Sequence, residues 1–405
     1  MEENIHNNEG ALKRTLERIK GSGFILKNNK EIMLKFKENL KSMNMSDATI
    51  NRSLYSLMKL DELLRKPFPE ANKDDIKAVI ARFNERQPNG KFLKEESKKK
   101  LKIHIRAIYC FIKGIEKKGV YPEEVDWISI SMPKNSKKLP EELLTEEEIN
   151  SIIKHCKTTR DRALVATLAD SGCRISEIGT MRIKHVSFEG YGARLIVNGK
   201  TGMRKILVIN CVPYLQEWIN MHPNNSDPDS FLWCDSNKNL LSYARMSDIL
   251  KRSAKNAKIK KRIYPHLLRH SKATNLAPIM SEAGMKQYFG WGQDSKMCAT
   301  YIHLSGRECD EAILRANGVE IKKEITKSAL QPKACLRCKT INEVTNKFCK
   351  VCSFPLDEET HKQLIIRSME KEKSDNIMDE LIKDKDVLAL LVEKIKQRGL
   401  DKILN

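Results

Sequence analysis

The chain has 405 residues, with 74 Lys and Arg against 53 Asp and Glu and a formal net charge of +21. That length exceeds what a single core usually organises, and the positive excess suits a polyanionic partner, since each cation near a phosphate releases condensed counterions; solubility or a lysine-rich composition accounts for the charge equally well. No run of about 18 apolar residues occurs, and the opening MEENIHNNEG lacks a basic-then-apolar leader, so a helical membrane span is excluded and a cytoplasmic location is expected.

Residues 1–28 are a polar, weakly patterned N-terminal extension, read as a frayed helix. Residues 29–120 read as a helical domain throughout, because IMLKFKENL, SDATINRSLYSLMKLDELL and KKLKIHIRAIYCFIKGI repeat apolar residues at helical spacing. Ser46 and Asp47 suit the N-cap of the second helix. The third opens on Lys98, Lys99 and Lys100 and adds Lys102, His104 and Arg106. A solvated face is the ordinary explanation of such a helix; a phosphate backbone lying along it is the functional one.

Residues 121–142 contain ISMPKNSKKLPEE, whose Pro133, Pro140 and missing periodicity mark an interdomain linker. Its Lys134, Lys137 and Lys138 join Lys98, Lys99 and Lys102 as candidate nucleic-acid contacts. A second domain, 143–320, opens at Thr145, which forms a capping box with Glu148 ahead of INSIIKH. DRALVATLADSG then predicts a helix ending at Gly172, and RISEIGTM a short one after it. ARLIVNGKTGMRKILVI predicts two strands around an Asn198-Gly199 hairpin turn. Helices follow at about 213–221, 242–257, 265–276, 281–289 and 296–304, then a cysteine module at 331–357 and a charged amphipathic tail at 358–405. The predicted architecture is multidomain and mainly α, with a small β-sheet or hairpin in the second domain.

Several separated groups suit a phosphate. Arg174 stands at a helix start, with Glu177 one turn on and placed to orient its guanidinium. Lys200 tips the hairpin, where a mobile loop delivers an ammonium, although Lys205 is a second hairpin lysine. Pro265 suits a first helical position, and His266, Arg269 and His270 then fall on one helix face. Trp291 offers an indole N–H and Tyr301 a phenol. Taken singly, each has a plain explanation: surface ion pairs, an exposed lysine, structural histidines, packing aromatics.

CLRCKTINEVTNKFCKVC holds two CxxC pairs, Cys335 with Cys338 and Cys349 with Cys352, with ten residues between the pairs. Two such CxxC knuckles present four thiolates, the donor set of a structural zinc ribbon, and a module this short has too little core to fold unaided. Four cysteines leave no open position for catalytic zinc.

The order SGCRISEIGTMRIKHV, NGKTGMRK, PHLLRHSKAT, FGW, ATYIHLS resembles the tyrosine recombinase, or phage-type integrase, family that includes the Xer proteins, and most closely its archaeal members with a cysteine-rich C-terminus. The resemblance is specific over 145–318 and weaker over 30–118, where it implies a SAM-like core-binding domain that closes with the catalytic domain on duplex DNA. It implies that Arg174 and Arg269 clamp the scissile phosphate, Lys200 protonates the leaving 5′-oxygen, His266 is a base or hydrogen-bond partner, Trp291 stands at a His/Trp position and Tyr301 is the nucleophile. Glu177 and His270 would support these groups. It further implies site-specific cleavage and rejoining of double-stranded DNA through a 3′-phosphotyrosyl intermediate, with no catalytic cofactor and a tetramer on two sites. A non-catalytic DNA-binding scaffold is the alternative. Trp291 donates a hydrogen bond but moves no proton, so activation of Tyr301 is expected from His266 and the two arginines.

Overall fold

The computed structural model describes residues 5–86, 90, 92–117, 119–131, 142–199, 201–305, 317 and 330–397. The chain divides into two compact units, residues 1–142 and 143–405. Among the described residues it is mainly helical, with one three-stranded and one two-stranded antiparallel sheet. None of the described helices is long and apolar enough to cross a membrane.

The first unit is organised by α3 (Asp47–Leu64), whose Ile50, Leu54, Leu57 and Leu60 recur at helical spacing and are fully buried. Each such side chain contributes about 2 kcal/mol by leaving water. Around α3 pack α1 (Asn8–Gly21), α2 (Lys27–Ser42), α4 (Lys73–Arg82) and α5 (Glu95–Ile112). The N-terminal segment is therefore not a frayed extension. Leu12 and Ile19 of α1 are buried in this core, a stripe too narrow to stand out in a polar segment. Asn29, fully buried, donates to Asp61 Oδ1 at 2.7 Å and to the Lys66 carbonyl at 3.0 Å, and accepts from the Phe68 N–H at 2.8 Å. Buried polar atoms need such partners, and these tie α2 to the chain leaving α3. Ser46 does precede α3, but its hydroxyl meets Thr49 Oγ1 rather than a backbone N–H.

The second unit centres on α7 (Thr159–Ser171), buried continuously from Ala163 to Ser171. Small residues at Ala163, Ala166, Ala169 and Ser171 let neighbours approach closely: α6 (Glu146–Lys154), α8 (Ile175–Gly179), α9 (Val212–Asn220) and α11 (Pro265–Leu276). The capping box of α6 is formed, with Glu148 N–H on Thr145 Oγ1 at 3.2 Å and Thr145 N–H on Glu148 Oε2 at 2.9 Å.

A sheet of β1 (Val186–Glu189), β2 (Gly192–Gly199) and β3 (Gly202–Val208) runs antiparallel in that order. The hairpin turns two residues later than Asn198-Gly199 suggests. Asn198 pairs with Met203 and Gly199 with Gly202, so the strands are joined between Gly199 and Gly202. The positive φ of +93° falls on Gly202, and Asn198 stays extended in its strand. The first strand, β1, was not expected; four residues carry too little alternation to read. Beyond the sheet lie α9, α10 (Tyr243–Asn256), α11, α12 (Glu282–Phe289) and α13 (Met297–Ser305). The cysteine module carries β4 (Lys333–Ala334) and β5 (Ile341–Asn342), with β5 against α9, and the tail forms α14 (Glu358–Lys383) and α15 (Lys385–Gln397).

Candidate active site

Gly172 ends α7 at φ +58°, where a Cβ would stand 2.7 Å from the Phe289 ring and 3.0 Å from Lys272 Cβ. Only glycine fits both the left-handed backbone and that space. Its carbonyl accepts from Arg269 Nη1 at 3.1 Å, and the Phe289 carbonyl accepts from Nη2 at 2.7 Å. Arg269 is 3% exposed and lies over the rings of Phe289 and Trp291, 5.1 and 5.6 Å from their centroids. Burial and the charge of Arg174 bring its pKa down to about 10, so it remains a cation at neutral pH.

Arg174 caps α8, its N–H on Glu177 Oε2 at 2.9 Å and its Nη1 on Glu177 Oε1 at 2.8 Å. The same Nη1 approaches the Gly290 carbonyl at 3.5 Å, one residue from the carbonyl that Arg269 holds. Glu177, 1% exposed, also pairs with Arg204 of β3. Burial pushes this carboxyl up, but the hydrogen bonds and charges of Arg204 and Arg174 outweigh it and hold the pKa below its ordinary value.

Phe289, Trp291 and Tyr301 form a stack. The first two rings lie 4.9 Å apart at 19°, and Trp291 and Tyr301 lie 5.5 Å apart at 4°. Tyr301 is 2% exposed, and its hydroxyl meets His270 Nδ1 at 2.6 Å. Burial raises the phenol to about 12 against the opposing pull of Arg269. His266 is exposed one turn away, its ring 5.7 Å from that of His270 and edge-on. The structure thus brings together Arg174, Glu177, Arg269, His270, Trp291 and Tyr301, and the imidazole on the phenol is His270 rather than His266. Lys200 lies outside the described residues. Lys205 is exposed and alternates with Arg204 along β3, so it faces away from Glu177.

Arg204 escaped the sequence reading. Its only local signal is being the first residue past Met203 to point to the inner face of β3, and the partner sits in another element. Of the candidate nucleic-acid contacts, Lys98 donates to Asn84 Oδ1 at 2.8 Å and Glu95 Oε1 at 2.7 Å, while Lys99 and Lys102 are half-buried on α5. Lys134, Lys137 and Lys138 lie outside the described residues.

Residues 142–308 match the phage integrase family. The chain is 32% identical to tyrosine recombinase XerA of Pyrococcus furiosus over 193 residues, 46% of this chain and 66% of the relative, just under two thirds of its length. Over these residues the chain is similar to the tyrosine recombinases. It is also 27% identical to tyrosine recombinase XerC of Oceanobacillus iheyensis, over 55% of this chain and 77% of that protein. Two solved structures share the fold: XerH site-specific recombinase bound to a palindromic difH substrate, at TM-score 0.54 and 18% identity over 78% of this chain and 98% of that one, and a lambda integrase dimer bound to a COC′ core site, at 0.54 and 17% over 73% and 80%.

Outside the residues matched to the phage integrase family, the chain carries its four-cysteine cluster. The Sγ atoms of Cys335, Cys338, Cys349 and Cys352 all lie within 4.8 Å of one another, with Cys335–Cys352 and Cys338–Cys349 at 3.5 Å. A tetrahedron with metal–sulfur bonds of about 2.3 Å has edges of about 3.8 Å, so the donor set and spacing fit one soft divalent ion. Each knuckle turns through a residue at positive φ, Lys339 at +60° and Ser353 at +55°. Their N–H groups return to the Cys335 and Cys349 carbonyls at 2.9 Å.

Proposed function

We propose that this chain is a site-specific DNA recombinase that cleaves and rejoins strands through a 3′-phosphotyrosyl bond at Tyr301. One observation carries the reading: the Tyr301 hydroxyl lies 2.6 Å from His270 Nδ1, in a wall completed by Trp291 and the buried Arg269. A phenol raised to about 12 is almost wholly protonated at neutral pH, so its attack needs a base in contact. In the tautomer with Nδ1 bare, His270 accepts that proton as the oxygen approaches phosphorus.

Arg174 and Arg269 supply fixed positive charge to the non-bridging oxygens, where the transition state builds negative charge. Trp291 holds the phenol ring by stacking and has only an N–H to donate. Lys200 is assigned to protonate the departing 5′-oxygen. The phosphotyrosyl bond keeps the free energy of the diester, so a 5′-hydroxyl reverses the step without ATP. Double-stranded DNA and a tetramer on two sites are the assembly the family implies, with the basic groups of α5 and the 121–142 linker on the phosphates. The four cysteines are assigned to a structural Zn²⁺, which would supply folding energy to residues 331–357.

A nicked suicide duplex bearing the target site tests the proposal. Wild type should form an adduct that survives detergent, and Tyr301→Phe should bind the same DNA without forming one. Equal binding with no adduct from either protein would leave a DNA-binding scaffold.

A further inference from the structure

Arg204 holds none of the catalytic positions, yet it joins three of the segments that carry them. Its Nη1 and Nη2 donate to Glu177 Oε1 at 3.1 Å and Oε2 at 2.9 Å, and its Nε donates to the Tyr288 carbonyl at 2.9 Å. The planar fork that arginine offers a carboxylate is thus taken up by Arg204, and the Arg174 guanidinium places a single nitrogen on Glu177 beside its backbone N–H. Among the described residues, Nε and Nη2 of Arg174 meet no side chain or carbonyl, and its side chain is 28% exposed against 10% for Arg204.

The fit is close on both sides. A Cβ on Gly199, at the hairpin tip, would stand 2.3 Å from Glu177 Oε1, and one on Gly290, before Trp291, 2.7 Å from Arg204 Nη1. Thr201 reaches the same Gly290 carbonyl at 3.4 Å. Charge follows the geometry. Glu177 opposite Arg174 alone would cancel it; with Arg204 added, two guanidiniums and one carboxylate leave +1, and Arg269 brings the site to +2 before a monoanionic diester.

We infer that Arg204 is a positioning residue for strand cleavage: by gripping Glu177 with both nitrogens it fixes the carboxylate that orients Arg174, leaves Arg174 its charge and an open edge for phosphate, and ties the hairpin to the Gly290 turn. The inference rests on the assignment of Arg174 to the scissile phosphate. Without Arg204, the Arg174 guanidinium closes onto Glu177 as a neutral pair.

The test compares full-length wild type, Arg204→Met, Arg204→Lys and Arg174→Ala on two suicide duplexes. One carries the ordinary scissile phosphodiester, and the other a neutral methylphosphonate at that position. A residue acting through Arg174 matters where there is a charged oxygen to hold and far less where there is none. Arg204→Met should slow adduct formation about 100-fold on the diester, the scale of a small misplacement of a reacting group, and much less on the methylphosphonate. Arg174→Ala should show the same contrast, and Arg204→Lys, with charge but no fork, should fall between. Should Arg204→Met fail to fold, Arg204→Lys carries the comparison. Equal losses on both linkages, the mark of a merely structural residue, would overturn the inference, as would unchanged rates. Wild type forming no adduct on either duplex overturns the Tyr301 assignment with it, whereas wild-type adducts matched by Arg204→Met overturn the positioning role alone.

Discussion

At the scale of residues, two histidines on one helical face differ in what they touch. His270 meets the Tyr301 hydroxyl at 2.6 Å, and His266 is exposed behind it. His270→Ala should therefore slow adduct formation by about 10²–10⁴, the usual worth of a positioned base, and His266→Ala by less; the reverse order would move the base to His266. The phenol makes a second prediction. Its folded pKa of about 12 exceeds the ordinary value near 10, so burial of the neutral form stabilises the fold fully below pH 10, and that contribution is lost as pH rises from 10 towards 12. Denaturant midpoints of Tyr301→Phe should fall less over that range than those of wild type. The sequence named Arg174, Arg269, Trp291 and Tyr301 because their order and residue types recur in a known pattern. It could not show that Arg204 takes Glu177, since that pairing depends on which face of β3 each side chain joins. Nor could it choose between His266 and His270, which share a face; the packing of α13 on α11 decides which one meets the phenol.

At the scale of elements, the site depends on how helices stop. Gly172 and Gly290 end α7 and α12 at φ +58° and +59°, and the carbonyls there and at Phe289 hold the arginines. Gly172→Ala should destabilise by about 1–3 kcal/mol from the left-handed backbone alone, with more from the contact on Phe289, read as a lowered urea midpoint. Helix periods and the Thr145 capping box were legible because they are local. The hairpin turn was displaced because Asn-Gly is a favoured turn pair, yet β2 continues through it to pair with β3. The depth of α1 was missed because its stripe gains meaning only when α3 covers it.

At the scale of the whole molecule, the four-cysteine cluster lies outside the family-matched residues, so metal and catalysis should separate. One equivalent of zinc should accompany the folded protein, and its removal by chelator should expose amides 331–357 to hydrogen exchange while protein still folded continues to form the adduct. Immediate loss of cleavage would instead place the metal in the chemistry. The +21 charge predicts DNA binding that weakens steeply with salt, as several counterions are released. The central claim is that Tyr301 attacks DNA. Digestion of the covalent complex and mass spectrometry of the modified peptide test it most directly: a nucleotide joined through its 3′-phosphate to Tyr301 is expected, and the same mass on any other residue would contradict it.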